Sequence, residues 1–460
     1  MLFSALFLLA VTPSDWVPMR WMSSNAASLE LLNGSRVNCL LLEQDQWQSP
    51  IPDAAHKRNL AVVGVLRQGQ QASEVTRLTA EGVLDGIVLE GDYSQSQQAS
   101  LEDSLSPGRV PVISMLSRAR MRFADTPVVA TSQGVWPGIQ AEEEGSTKAA
   151  PSGAPWINTN GGFLRFARAA APAAAIWIGN VPPEKTVVTA ERYMQAVADA
   201  AIIGARWVIA LDSDMWKRLD AAEASAIREW KRILALSTWF EQHAEWRSLQ
   251  PYSQLAIVQD IGSGALYSGG VLDMIAVKHT PVRAVPTHSL APESMHGVSM
   301  AVNVDPSSLN PQQQAALVAF RKAGGATLSG PATWKFPPVT TERVTLSDAD
   351  VKTLDEIWKE MNHMTGRRNL GARLFNVASM LSNLTATEDG KTAALHLVNY
   401  SGYPVENVTV HLLGKYGKAT LLAPGQDPRK LEIYENEEGC GVDVDAVNVT
   451  ATVLLENKLP

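Results

Sequence analysis

Cysteine is nearly absent: in 460 residues only Cys39 and Cys440 occur. Two cysteines this far apart exclude a disulfide scaffold and a zinc-finger arrangement. Cys39 lies inside an apolar run and reads as a small buried hydrophobe; Cys440, in Glu-Glu-Gly-Cys-Gly, reads as a polar-turn residue with no histidine nearby in sequence. A basic excess is missing too. With 39 Lys plus Arg against 47 Asp plus Glu, the formal net charge is −8, and no long basic run offers a footprint for nucleic acid or an anionic membrane. No apolar run reaches transmembrane length. The 8 histidines form no cluster with metal-ligand spacing, so neither a metal nor another cofactor is expected.

What is present is apolar sequence in short units. Residues 1–12 read as a signal peptide: Met1 to Val11 is too short to span a bilayer and resembles the apolar part of a secretory signal, so a secreted or periplasmic location is expected. Eight strand-like runs follow. They are Asp15 to Trp21, Arg36 to Glu43, Leu60 to Arg67, Leu84 to Asp92, Val110 to Met115, Pro127 to Gln133, Ala175 to Asn180 and Arg206 to Asp214. Helical spacing over Glu74 to Gly82, Thr189 to Gly204 and Ala221 to His243 separates several of them. Unalternating apolar strands alternating with helices fit a parallel sheet, and eight repeats over residues 13–248 fit a closed (β/α)₈ TIM barrel. The long connection from Trp136 to Pro172 reads as a loop, with Trp156 to Gly162 ordered and able to return to the mouth.

The composition then changes twice. Residues 249–345 read as a flavodoxin-like α/β domain, with strands at Gln254 to Gln259, Val282 to Val285, Met300 to Val304 and Ala326 to Ser329. Helices are expected over Gly270 to Lys278 and Pro311 to Ala323, the second entered by Asn310-Pro311. Residues 346–460 read as a helix, Asp348 to His363, followed by an antiparallel β-sandwich whose strands include Ala393 to Asn399 and Val408 to Leu413. Glu388-Asp389-Gly390 is a hairpin signal there.

In a barrel of this kind the carboxyl ends of the strands carry chemistry. Those ends supply Arg20, Glu43, Arg67, Glu90, Asp92, Gln133, Trp136, Asn180, Asp212 and Asp214. Several of the 13 Trp fall at strand ends, where an indole can stack on a sugar face. The order of barrel, small α/β domain with Leu309-Asn310-Pro311-Gln312-Gln313 through Gly324-Gly325, and β-sandwich resembles the family 42 β-galactosidases and related glycoside hydrolases. That resemblance implies a glutamine-amidotransferase-like middle domain serving packing or oligomerisation; with no Cys between Cys39 and Cys440 it has no amidotransferase nucleophile. It also implies an acid/base Glu at the end of strand four, which matches Glu90, and a nucleophilic Glu at the end of strand seven. Strand seven here ends Trp177-Ile178-Gly179-Asn180, without a carboxylate.

The expectation is therefore a glycoside hydrolase acting on oligo- or polysaccharide through two carboxylates. Glu90 is the expected acid/base and Asp212 its partner; Arg20, Glu43, Arg67, Asp92, Gln133, Trp136, Asn180 and Asp214 would bind substrate. The alternative is a non-catalytic carbohydrate-binding protein on a degenerate barrel. Homo-oligomerisation is left open.

Overall fold

The computed structural model describes residues 12–457 except 71, 106–109, 124–125, 138, 142–146, 150–159, 261–279, 305, 330–370 apart from 356, 359 and 363, and 376, 378 and 438. Met1 to Val11, the helix expected over Gly270 to Lys278, most of that over Asp348 to His363, and Trp156 to Thr159 lie outside the described residues.

Eight parallel strands lie side by side in chain order. They are β1 (Pro18–Arg20), β2 (Cys39–Leu42), β3 (Ala61–Arg67), β4 (Gly86–Glu90), β5 (Val112–Met115), β6 (Val128–Thr131), β7 (Ala175–Ile178) and β8 (Arg206–Trp207). A parallel bridge between Met19 and Ile209, with the Arg20 N–H donating to the Ile209 carbonyl at 2.9 Å, joins the two ends into a barrel. The strands are mostly apolar along their middles because both faces are buried, with charged residues confined to their ends. Cys39, Leu41, Val63, Val65 and Val88 meet Trp177 inside the barrel, while Leu40, Leu42, Val62, Ile87 and Leu89 face the surrounding helices.

The helices around the barrel are α1 (Ile51–His56), α2 (Ala72–Ala80), α3 (Gln95–Leu105), α4 (Gly161–Ala170), α5 (Ala190–Ala201), α6 (Ser213–Asp220) and α7 (Ala224–Gln242). Some of these elements depart from the sequence reading. α4 lies inside the connection read as a loop, burying Phe163, Leu164 and Phe166. The eighth apolar run is a strand over only two residues; Asp212 ends it by capping α6.

Beyond the barrel, β9 (Leu255–Gln259), β10 (Arg283–Pro286), β11 (Met300–Asn303) and β12 (Ala326–Ser329) form a parallel sheet in the order β10-β9-β11-β12, the flavodoxin-like arrangement. Helix α8 (Pro311–Lys322) crosses between the last two strands. Its entry is a reciprocal cap: the Asn310 side chain accepts from the Gln313 N–H at 2.9 Å, and the Gln313 side chain accepts from the Asn310 N–H at 2.8 Å.

The carboxyl-terminal part is antiparallel: β13 (Ala372–Phe375), β14 (Met380–Ala386), β15 (Thr392–Asn399), β16 (Val405–Leu413), β17 (Tyr416–Leu422), β18 (Arg429–Leu431), β19 (Tyr434–Asn436), β20 (Gly439–Val447) and β21 (Thr450–Asn457). One sheet runs β14-β15-β21-β17-β18, extended by Gln250–Pro251 on β14; the other runs β13-β16-β20-β19. Glu388-Asp389-Gly390 turns between β14 and β15 as expected, with Asp389 accepting from the Thr387 hydroxyl at 2.7 Å and Gly390 at φ 64°. Cys440 is not in a polar turn. It stands in β20, buried in the sandwich core, because alternation along that strand turns it inward with Val442 and Val444.

The sandwich is fastened to the barrel by buried polar contacts. Gln195 of α5 donates to the carbonyls of Asn399 and Ser401 at 3.1 and 2.9 Å, and Asn383 donates to the Ile202 carbonyl at 2.7 Å. His396 of β15 lies in this seam, hydrogen-bonded to the Thr452 hydroxyl at 2.9 Å, its ring 5.1 Å from that of Trp246.

Burial, with a smaller contribution from His243, pushes His396 down to about 3. An unfolded histidine takes up its proton near pH 6.5, roughly. Between these values only the unfolded chain carries the proton, so the stability from this group is full above about pH 6.5 and is lost as pH falls, at up to about 1.4 kcal/mol per unit. Urea denaturation from about pH 7 to about pH 5 should show that slope, and His396→Gln should flatten it.

Candidate active site at the barrel mouth

Side chains two residues apart on a strand share a face. Continuing the inward series Cys39-Leu41 brings Glu43 to the barrel axis; Val63-Val65 brings Arg67, Val88 brings Glu90, and Trp16 through Pro18 brings Arg20. Four consecutive strands thus aim alternating cations and anions into the top of the barrel. They meet as a closed ring.

Arg20 donates through Nη1 to Glu43 Oε1 at 3.0 Å and through Nη2 to Glu90 Oε1; Arg67 donates through Nη2 to the same Glu43 oxygen at 2.9 Å and through Nε to Glu90 Oε2 at 3.1 Å. Met115, the inward residue closing β5, places its sulfur 3.5 Å from Arg20 Nη2. The side chains of Arg20 and Glu90 are 9% and 12% exposed, those of Glu43 and Arg67 31% and 46%. The ring therefore has a buried half and an open half. Burial raises the Glu43 carboxyl above its ordinary value; Arg67 and Arg20 pull it back only in part, and Glu90 adds to the rise.

The remaining sequence candidates hold the mouth in shape. Asp92 accepts the Ser117 N–H at 2.9 Å and the Ser117 hydroxyl at 2.7 Å, tying the turn after β5 to the end of β4. Gln133 accepts the Arg118 N–H at 2.9 Å. Asn180 donates to the Gly134 carbonyl at 2.9 Å. Gly134 itself must be glycine, since a Cβ there would stand 2.7 Å from the Trp207 ring and 2.9 Å from the Gly179 carbonyl. Trp136 is no platform for a sugar: it is 5% exposed, edge-on to Tyr193 and Trp207 with ring centroids 5.3 and 5.0 Å away.

Asp212 is the main departure. Its Oδ1 accepts the N–H groups of Asp214 and Met215, both at 3.0 Å, as the cap of α6, while Oδ2 accepts the Tyr193 hydroxyl at 2.8 Å and the Val188 N–H at 3.3 Å. Among the described residues it makes no hydrogen bond to the ring. Asp214 stands in the first turn of α6 with its side chain 46% exposed, 3.9 Å from Arg218.

Sequence reasoning missed a second buried network. Asp199 of α5 accepts from the Asn160 N–H at 3.0 Å and the Asn160 amide at 2.9 Å on one oxygen, and from the Tyr400 hydroxyl of the sandwich on the other. Asn160 in turn binds Val135 and Arg118, whose guanidinium lies 4.5 Å from the centre of the Phe163 ring. Burial pushes the Asp199 carboxyl up, against the pull of its hydrogen bonds to Tyr400 and Asn160.

No protein-family model matches this chain, and no curated protein matches it in sequence. Solved structures do. The α-L-fucosidase isoenzyme 2 of Paenibacillus thiaminolyticus superposes with a TM-score of 0.60 at 11% identity, over 97% of this chain and 100% of that one. The shared fold is a (β/α)₈ barrel followed by antiparallel β-sheets. A rhamnosidase from Novosphingobium sp. PP1Y (TM-score 0.44, 9% identity, 88% of this chain and 38% of that one) and a β-galactosidase from Rahnella sp. R3 (0.42, 10%, 94% and 98%) are more distant. At these identities the likeness is one of architecture.

Two substitutions test the geometry. Arg20→Met leaves Glu43 and Glu90 facing each other with half their counter-charge gone and should cost about 3–5 kcal/mol in chemical denaturation. Asp212→Ala removes the α6 cap and the acceptor of the Tyr193 hydroxyl; a loss of about 1–3 kcal/mol is expected in the same assay.

Proposed function

We propose that this protein is a glycoside hydrolase acting on oligo- or polysaccharide, with Glu43 and Glu90 as its two carboxylates. The observation that carries the reading is that both acids are held by one guanidinium, Arg20, at the carboxyl end of the barrel. Retaining hydrolysis needs carboxyl groups about 5 Å apart, and inversion roughly 6.5 to 9.5 Å. We read two acids sharing one planar cation as the close, retaining arrangement.

Glu43, with its raised pKa and more open position, is the general acid: it gives its proton to the glycosidic oxygen as the bond to the anomeric carbon breaks. Glu90, whose two oxygens are fixed by Arg20 and Arg67, is the nucleophile and forms the glycosyl ester. Glu43, now ionised, takes a proton from water; the hydroxide attacks the anomeric carbon and frees Glu90. In this reading Glu43 replaces Asp212 as the partner and takes the acid/base role expected of Glu90, which becomes the nucleophile; the barrel, α/β and sandwich order follows the family 42 layout.

A second reading, saccharide binding without turnover, is favoured by one observation. Both oxygens of Glu90 are already engaged by guanidiniums, and β7 is followed by Gly179-Asn180 in place of an acid. Release of 4-nitrophenol from a panel of aryl glycosides decides between the two. Hydrolysis should fall about 100-fold or more in Glu43→Gln and in Glu90→Gln, with calorimetric binding of the matching sugar retained. Binding without turnover in the unaltered protein selects the second reading, and full activity in both variants sinks the first.

A further inference from the structure

We infer that the saccharide taken by this mouth is anionic, carrying a carboxylate or a sulfate ester read by Arg67, Arg120 and Arg122. The inference rests on the saccharide reading above and adds the substrate's charge to it. On a chain of net charge −8, the sector from β3 to β5 turns cations outward. Arg67 closes β3 with its side chain 46% exposed; Nε and Nη2 hold the two acids, and Nη1 makes no hydrogen bond among the described residues. Arg120 sits in the turn after β5, its side chain 62% exposed and 3.9 Å from Asp92. Arg122, also exposed, bonds the neutral Gln98 amide at 3.1 Å.

The acids of this sector are already engaged. Glu90 is nearly buried between two guanidiniums, and both oxygens of Asp92 accept from Ser117. That same Ser117 contact holds the Arg118–Arg120 turn against the end of β4, next to the ring. On the neighbouring loops, Asp45 follows β2 and is exposed, while Glu74 accepts from the side chains of Gln44 and Gln48. An anionic substituent would therefore find donors on this side of the mouth that a neutral sugar leaves unused, and planar guanidiniums suit carboxylate and sulfate alike.

The test is calorimetric titration of the full chain with three probes: galacturonic acid oligomers, sulfated galactan oligomers and uncharged galacto-oligosaccharides, each at low and high salt. At least one charged probe should bind about tenfold tighter than the uncharged one, with the advantage shrinking in salt. Which charged probe wins separates carboxylate from sulfate. Arg120→Gln combined with Arg122→Gln, both at exposed positions, should lower the ratio of charged to uncharged affinity by about tenfold. Preference for the uncharged oligomers, or a ratio unmoved by the substitutions, overturns the charge inference while leaving the two-carboxylate reading in place. Failure of all three probes to bind, together with no turnover of any aryl glycoside, overturns both.

Discussion

Arg20 makes the mouth of this barrel possible. Two carboxylates at the top of a closed barrel repel one another and lose hydration, and each alone would be driven to its neutral form. One buried guanidinium with a planar fork of donors reaches both, and its partner Arg67 completes the ring from the open side. The arrangement leaves the two acids unequal. Glu43 sits toward solvent with a raised pKa, whereas Glu90 is enclosed with an arginine on each oxygen. The proposed division of labour between proton donor and nucleophile needs that inequality.

The barrel places these side chains without any special loop. Inward alternation along β1 to β4 brings Arg20, Glu43, Arg67 and Glu90 together at the mouth, so the same repetition that builds the core also builds the site. The turns beyond the strand ends do the rest. Asp92 fixes the turn after β5, and Gly134 lets the turn after β6 approach the end of β7.

The sequence showed the eight barrel strands because burial on both faces leaves continuous apolar runs, and it offered the four ring residues as separate candidates because each is the first polar residue after such a run; their binding to one another it did not show. Asp212, expected as the partner of Glu90, caps α6 in the structure, and the sequence leaves the two roles open for a local reason. An acid at a strand end serves a reaction or caps the next helix with the same residue type, and only the bonds to Asp214, Met215 and Tyr193 tell these apart. α3 was invisible because its sequence, Gln-Ser-Gln-Gln-Ala-Ser-Leu-Glu-Asp-Ser-Leu, has too few apolar residues to reveal a period. The Asn160-Asp199-Tyr400 network could not be seen at all: its partners stand 39 and 201 residues apart, and pairings at that distance leave no pattern in a single chain.

That network changes what kind of object the carboxyl-terminal sandwich is. Tyr400 satisfies a carboxylate buried in the barrel wall, and through Asn160 the same carboxylate supports the turns around Val135 and Arg118. Exchanging this sandwich for one from another protein would open the wall beneath those turns unless Tyr400 and the carbonyls of Asn399 and Ser401 came with it. Barrel and sandwich thus share one set of buried hydrogen bonds across their junction, and neither surface is complete without the other.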